Sequence, residues 1–147
     1  MDSALWKDRF VVGIPEIDEE HRGLFDALEE LSTALAAGER ARALDTLRPI
    51  AEHALSHFAH EERMMRRAGY SGYKWHRAQH ETAKKRLSAL IQEARGAGLP
   101  ECQHVAEFLK AWMPDHITLH DCMMSAALRN YRRLDQRNKA AQRQVFA

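Results

Sequence analysis

Beta-branched residues are sparse in this chain, and no long segment alternates apolar and polar residues with a period of two, which argues against a sheet. Cysteine appears twice, as Cys102 and Cys122. That is too few for a disulfide framework, and free thiols suit a reducing compartment. An excess of one charge is also missing: 22 Lys and Arg stand against 21 Asp and Glu, a net charge of +1 with histidine neutral. The molecule as a whole therefore offers no strong field to nucleic acid or membrane. No stretch approaches the roughly 20 apolar residues of a membrane span. The amino-terminal MDSALWKDRF lacks the apolar run of a signal peptide. The expectation is a soluble, cytoplasmic protein with neither nucleic acid nor membrane as a partner.

What is present is helix-forming. Ala, Leu, Glu, Arg, Lys, Gln and Met supply most of the 147 residues, about one domain's worth. Residues 1–17, with Gly13, Pro15, Trp6 and Phe10, read as an extended arm packed on the body. A first helix is expected from about Asp18, with Asp18, Glu19 and Glu20 favouring its positive end. Its apolar stripe is Leu24, Phe25, Leu28, Leu31 and Leu35, and Gly38 ends it. A second helix is expected over about Arg40 to Ala68, with a kink or late start at Pro49. After the turn Gly69-Tyr70-Ser71-Gly72, a third spans about Tyr73 to Ala94, closed by Gly96-Ala97-Gly98. A fourth runs from Pro100 to roughly Leu134, with Pro114 another irregularity. Short connections make these antiparallel neighbours, so the expected fold is all-α: an up-down-up-down four-helix bundle over about residues 18–134, one domain with the arm. The tail of about residues 135–147 is basic; Arg132, Arg133, Arg137, Lys139 and Arg143 meet Asp135 alone. It reads as a frayed solvated helix end, with a docking surface for a protein partner as the alternative.

Histidine is the anomaly, at nine residues. His57 and Glu61 lie four apart, on one helix face, and His76 and His80 repeat that spacing. The first helix offers His21, and the fourth offers His116 with Asp121 five residues on. One such pair arises by chance and usually faces water. Inward-pointing donors on every helix are how bundles build metal sites. Imidazole and carboxylate together suit iron, manganese or zinc, and no thiolate is in the set.

At these residues the chain resembles the hemerythrin family, its bacterial members in particular. The resemblance covers about residues 6–134. It runs through Trp6, Val12-Gly13-Ile14, Ile17-Asp18-Glu19-Glu20-His21, His57-Phe58-Ala59-His60-Glu61-Glu62, Met65, Gly69-Tyr70 and His76-Arg77-Ala78-Gln79-His80. It ends with Trp112-Met113-Pro114-Asp115-His116-Ile117-Thr118-Leu119-His120-Asp121. The resemblance implies two non-haem irons joined by an oxo or hydroxo bridge. One iron would be held by His76, His80 and His116, the other by His21 and His57, with Glu61 and Asp121 bridging. The second iron then keeps a vacant position for dioxygen, and the implied activity is reversible binding rather than enzymatic turnover. A dry pocket is needed to protect the bound state. Leu24, Phe58, Trp112, Met113 and Ile117 lie within a turn of ligands and are expected to wall it; ordinary bundle core is the plainer reading of the same residues.

The spacing strains at one point. Residues five apart in an ideal helix are separated by about 140°, so either the Asp121 carboxylate reaches round or a π-bulge widens the helix, and some irregularity is expected between Trp112 and Asp121. His120, four from His116, is the competing ligand. His53, His60 and His104 fall outside the family pattern and read as surface or satisfied polar residues, although His53 shares the face of His57. Glu62 is read as solvated or as supporting a ligand, and Cys122 as an inert buried thiol. Where the family usually carries a phenylalanine three residues after its ligand, this chain has Ala83, and Ser71 replaces a family proline in the turn. The lost ring should leave space at the centre, with faster ligand access and faster autoxidation.

Three function classes follow. The first is dioxygen storage, delivery or scavenging. The second is an oxygen or redox sensor acting through a separate partner. The third is a di-iron enzyme that reduces peroxide or nitric oxide, for which ferritin-like sites use more carboxylates. Zinc binding without oxygen chemistry is the plainest alternative.

Overall fold

The computed structural model describes residues 4–146, and among them it is helical with no strand. A short 3-10 turn, Asp8–Phe10, is followed by α1 (Pro15–Ala36), α2 (Arg40–Ala68), α3 (Tyr73–Ala97) and α4 (Leu99–Asp115). A π-helical segment, His116–Asp121, then leads into α5 (Cys122–Val145). The backbone stays helical on both sides of that segment, at Asp115 and at Cys122, so α4, the π turn and α5 make one rod. Four rods in up-down-up-down order form the bundle, with α1 against α2 and α4, and α3 against α2 and α4.

Local chemistry explains the ends. α1 begins at Pro15, three residues before the expected Asp18, because proline suits the first turn, where its missing N–H has no helical partner anyway. Glu16 and Asp18 then face the positive end of the helix. The helix stops at Ala36, and Gly38 takes φ +68° while the Glu39 N–H donates to the Ala34 carbonyl at 2.9 Å. α2 has the expected limits and neither starts late nor breaks at Pro49, which lies on the solvent face. There the carbonyl that Pro49 leaves without a donor can bond water. α3 continues to Ala97 rather than Ala94, since Gly96 sits at an open position. The basic tail is not frayed: α5 carries it as helix to Val145, well past Leu134 and mostly solvent-exposed.

Each rod buries one stripe. On α1 it is Ile17, His21, Leu24, Phe25, Leu28, Leu31 and Ala34, a period of three and four. The arm closes one end of the bundle, with Trp6 and Phe10 packing on Phe25 at ring separations of 5.7 and 4.9 Å. Asp18 pins it by accepting the Val12 N–H at 2.7 Å and the Gly13 N–H at 3.2 Å. Gly13 itself has φ +83°, and a Cβ there would run into Arg129, whose guanidinium donates to the Val12 carbonyl.

Candidate metal centre

The helix registers bring all seven sequence-predicted donors to one buried place. Glu61, His76, His80, His116 and Asp121 present donor atoms within 4.8 Å of one another, as do His21, His57, Glu61 and Asp121. The two groups share both carboxylates, and each carboxylate divides its oxygens between them. Glu61 Oε1 lies 3.2 Å from His57 Nε2, while Oε2 lies 3.1 Å from His80 Nε2 and 3.4 Å from His76 Nε2. Asp121 Oδ2 lies 3.1 Å from His21 Nε2, while Oδ1 lies 3.1 Å from His76 Nε2 and 3.0 Å from His116 Nε2.

The π segment makes the last of these contacts. One extra residue in its turn brings Asp121 back to the face of His116, so of the two ways to meet the five-residue spacing the helix widens. His120 is turned aside and belongs to neither group. Its ring lies against Trp75, centroids 4.5 Å apart.

The site fits a pair of cations. All four carboxylate oxygens of Glu61 and Asp121, and Nε2 of His76, His80 and His116, are buried without a hydrogen-bond partner. Such atoms are costly unless something else satisfies them. Donors each about 2.1 Å from one ion sit about 3 Å apart when at right angles, which matches the separations above. Burial pushes the two carboxyls up, as does the charge of Glu61 on Asp121. The histidines around them, His57 for Glu61 and His116 for Asp121 above all, override this and hold both well below the usual carboxylate range. Burial likewise pushes His57 and His76 down, but the facing carboxylates raise them to about 10 and about 9. At His116 burial prevails and the pKa falls. Cations binding here must therefore displace protons.

Two further carboxylates hold the donors from behind. The Nδ1 of His57 meets Glu20 Oε2 at 2.7 Å, and the other Glu20 oxygen lies 2.5 Å from His60 Nδ1. The Nδ1 of His80 meets Glu62 Oε2 at 3.2 Å, and Arg77 pairs with the second Glu62 oxygen at 3.4 Å. Glu62 is thus buried in support of a ligand rather than solvated, and His60 is satisfied by Glu20. In the sequence Glu20 had a helix end and a place in the family run directly before His21, but no role behind a ligand. His53 is half-buried against Gly23, where a Cβ would come 2.3 Å from its ring, and His104 is exposed. Cys122 is exposed, not buried as expected, because it is on the rod's outer face just beyond the π turn; Cys102 is the buried thiol.

Beside the donors lies an apolar cavity of about 20 Å³, space for one small molecule. Leu24, Phe58, Trp112, Met113 and Ile117 all line it, together with His21 and His57. Ala83 lines it too, so the space expected from the missing ring exists. His116 and Asp121 also border it, and Ala54, Leu87, Phe108 and Leu109, which were not foreseen, complete the wall. Each lies four residues from a lining residue on its own helix, so helical periodicity could have found them.

The Hemerythrin HHE cation binding domain profile matches residues 12–128. The bacteriohemerythrin of Stenotrophomonas maltophilia (strain R551-3) is 30% identical over 117 residues, 80% of this chain and 76% of that protein. The myohemerythrin of Theromyzon tessulatum is 30% identical over 112 residues, 76% of this chain and 82% of that one. A crystal structure of wild-type hemerythrin superposes with a TM-score of 0.75 at 24% identity, covering 84% of this chain and 95% of the other. With two buried His and carboxylate groups able to hold metal inside a bundle of that fold, this chain belongs to the hemerythrin family.

Proposed function

We propose that the protein binds dioxygen reversibly at a non-haem di-iron centre, in a storage, delivery or scavenging role. His76, His80 and His116 would hold one iron and His21 and His57 the other, with Glu61 and Asp121 across both beside an oxo or hydroxo bridge. When bound, the two ferrous ions supply the electrons that dioxygen takes up and recover them on its release.

The observation that carries the reading is an asymmetry. One donor group has five members and the other four, and the cavity is lined by both histidines of the smaller group but by His116 alone of the three in the larger. His21 and His57 would thus leave a position free where a small molecule can reach it. Glu20 fixes the ring of His57 there and keeps its Nε2 turned inward. Leu24, Phe58, Met113 and Ile117 exclude water, which limits proton delivery to a bound ligand. Among the described residues, the titratable groups in the cavity wall are His21, His57, His116 and Asp121, all members of the donor set. No separate acid or base stands ready, which favours binding over turnover.

The test is the visible absorption spectrum of anaerobically reduced protein before and after air is admitted, with metal analysis. The expected result is two irons per chain and a colour that appears with air and vanishes on deoxygenation. Prompt conversion to a stable ferric form, or zinc in place of iron, would overturn the proposal.

A further inference from the structure

On the outside of the α2–α3 seam runs a second, larger hollow of about 380 Å³, within the size range of small-molecule sites. Its floor is apolar: Ala51, Leu55 and Phe58 from α2 face Leu87 and Ile91 from α3. Leu55 is 50% exposed there, an apolar side chain left in water. The two ends differ in charge. At one end Lys84 is neutralised by Glu81 at 2.7 Å. At the other, the exposed Arg95 has no acidic partner among the described residues. Gln92, three residues before it on the same helix face, also lines the hollow.

We infer that this groove binds a straight-chain carboxylate, an anionic amphiphile whose head meets Arg95 and Gln92 and whose tail covers Leu55, Ile91, Leu87 and Phe58. A guanidinium with an amide beside it suits a carboxylate, which accepts two parallel hydrogen bonds from the guanidinium fork. From Arg95 back to Lys84 the helix rises roughly 16 Å, the length of an extended chain of about ten to twelve carbons. The tail end would rest on the outer edge of Phe58, whose ring stacks on His80 at 4.3 Å. Ala54, Phe58 and Leu87 line both this groove and the inner cavity, so the site lies one side chain from the donor cluster.

The test is calorimetric titration of the 147-residue protein with octanoate, decanoate and dodecanoate below their micellar concentrations. One molecule per chain is expected, with affinity rising about fourfold per added methylene. Arg95→Ala should weaken dodecanoate about tenfold or more, and Leu55→Glu should abolish binding. Both positions are exposed, and unchanged thermal melts would show that the variants fold. Dodecyltrimethylammonium should not compete. Binding that Arg95→Ala leaves intact, equal binding of the cationic amphiphile, or no saturable binding would overturn the inference. So would a dimer that Leu55→Glu dissociates in sedimentation, since a second copy would then occupy the groove. The titration reads no iron chemistry, so its outcome is independent of the oxygen-binding proposal.

Discussion

At the scale of single residues, much depends on atoms behind the donors. Glu20 holds His57 through Nδ1 and is itself steadied by His60. Supports of this kind typically change metal affinity by about 10–100-fold. Glu20→Ala is therefore expected to lose iron to a chelator at a concentration about tenfold or more lower than the parent protein, while His104→Ala, on the surface, behaves as the parent. Equal retention in both variants would mean that the contact is incidental. Ala83 acts in the opposite sense, by leaving space. Ala83→Phe puts a ring into the cavity of about 20 Å³, and the expected outcome is several-fold slower autoxidation in air, followed by the decay of the oxygenated spectrum. A faster decay in the variant would contradict the role assigned to the space.

At the scale of elements, the rods are regular except where the site demands otherwise. The π turn at His116–Asp121 is that exception, and it is what separates Asp121 from His120 as the inward residue. The arm is the other element that needs a specific fastening, since it has little regular structure of its own. Its anchor is Asp18, buried, with both oxygens on backbone N–H groups. A hydrogen bond to a charged group contributes about 1.5–3 kcal/mol. Each bond lost in Asp18→Ala should therefore lower the melting temperature by roughly 3–12 °C at 2–4 °C per kcal/mol. Amide exchange at Val12 and Gly13 should rise while exchange in α3 stays slow. A change confined to α3 would place the anchor elsewhere.

At the scale of the whole molecule, the donor cluster is a cost that bound metal converts into a cross-link of all four rods. His21 comes from α1, His57 and Glu61 from α2, His76 and His80 from α3, and His116 and Asp121 from the π turn. Without cations, their carboxylate oxygens and most of the inward nitrogens stay buried and unpaired. A ligand present at a thousand times its dissociation constant stabilises by about 4 kcal/mol, or roughly 8–16 °C for a chain of this size. Removing the metal with a chelator should lower the calorimetric melting temperature by that amount and broaden protection losses across the bundle. Superimposable melts with and without metal would rule out a buried centre that bridges the helices.

The bundle and its donor types were legible in the residues, because helical periodicity is a local property. Stripes such as Leu24, Phe25, Leu28 and Leu31 and pairs such as His76 and His80 declare a face without reference to any other helix. An irregularity near Asp121 was readable, since His116 and Asp121 do not share a face at ideal pitch, but that it is a π turn rather than a carboxylate reaching round was decided by the structure. Capping details shifted the ends of α1 and α3 because proline and exposed glycine at a terminus are tolerated in more than one way. The extent of the tail helix escaped the sequence for a similar reason: a solvated basic helix end carries no clear stop signal, and α5 continues past Leu134 to Val145. What only the tertiary structure decided is how the helices face each other. It set which oxygen of Glu61 meets which histidine, that Glu20 stands behind His57, that Cys122 points outward, and that Ala83 borders an inner cavity while Arg95 heads an outer groove. Those depend on distances between rods, which packing of the whole core determines and no single helix encodes.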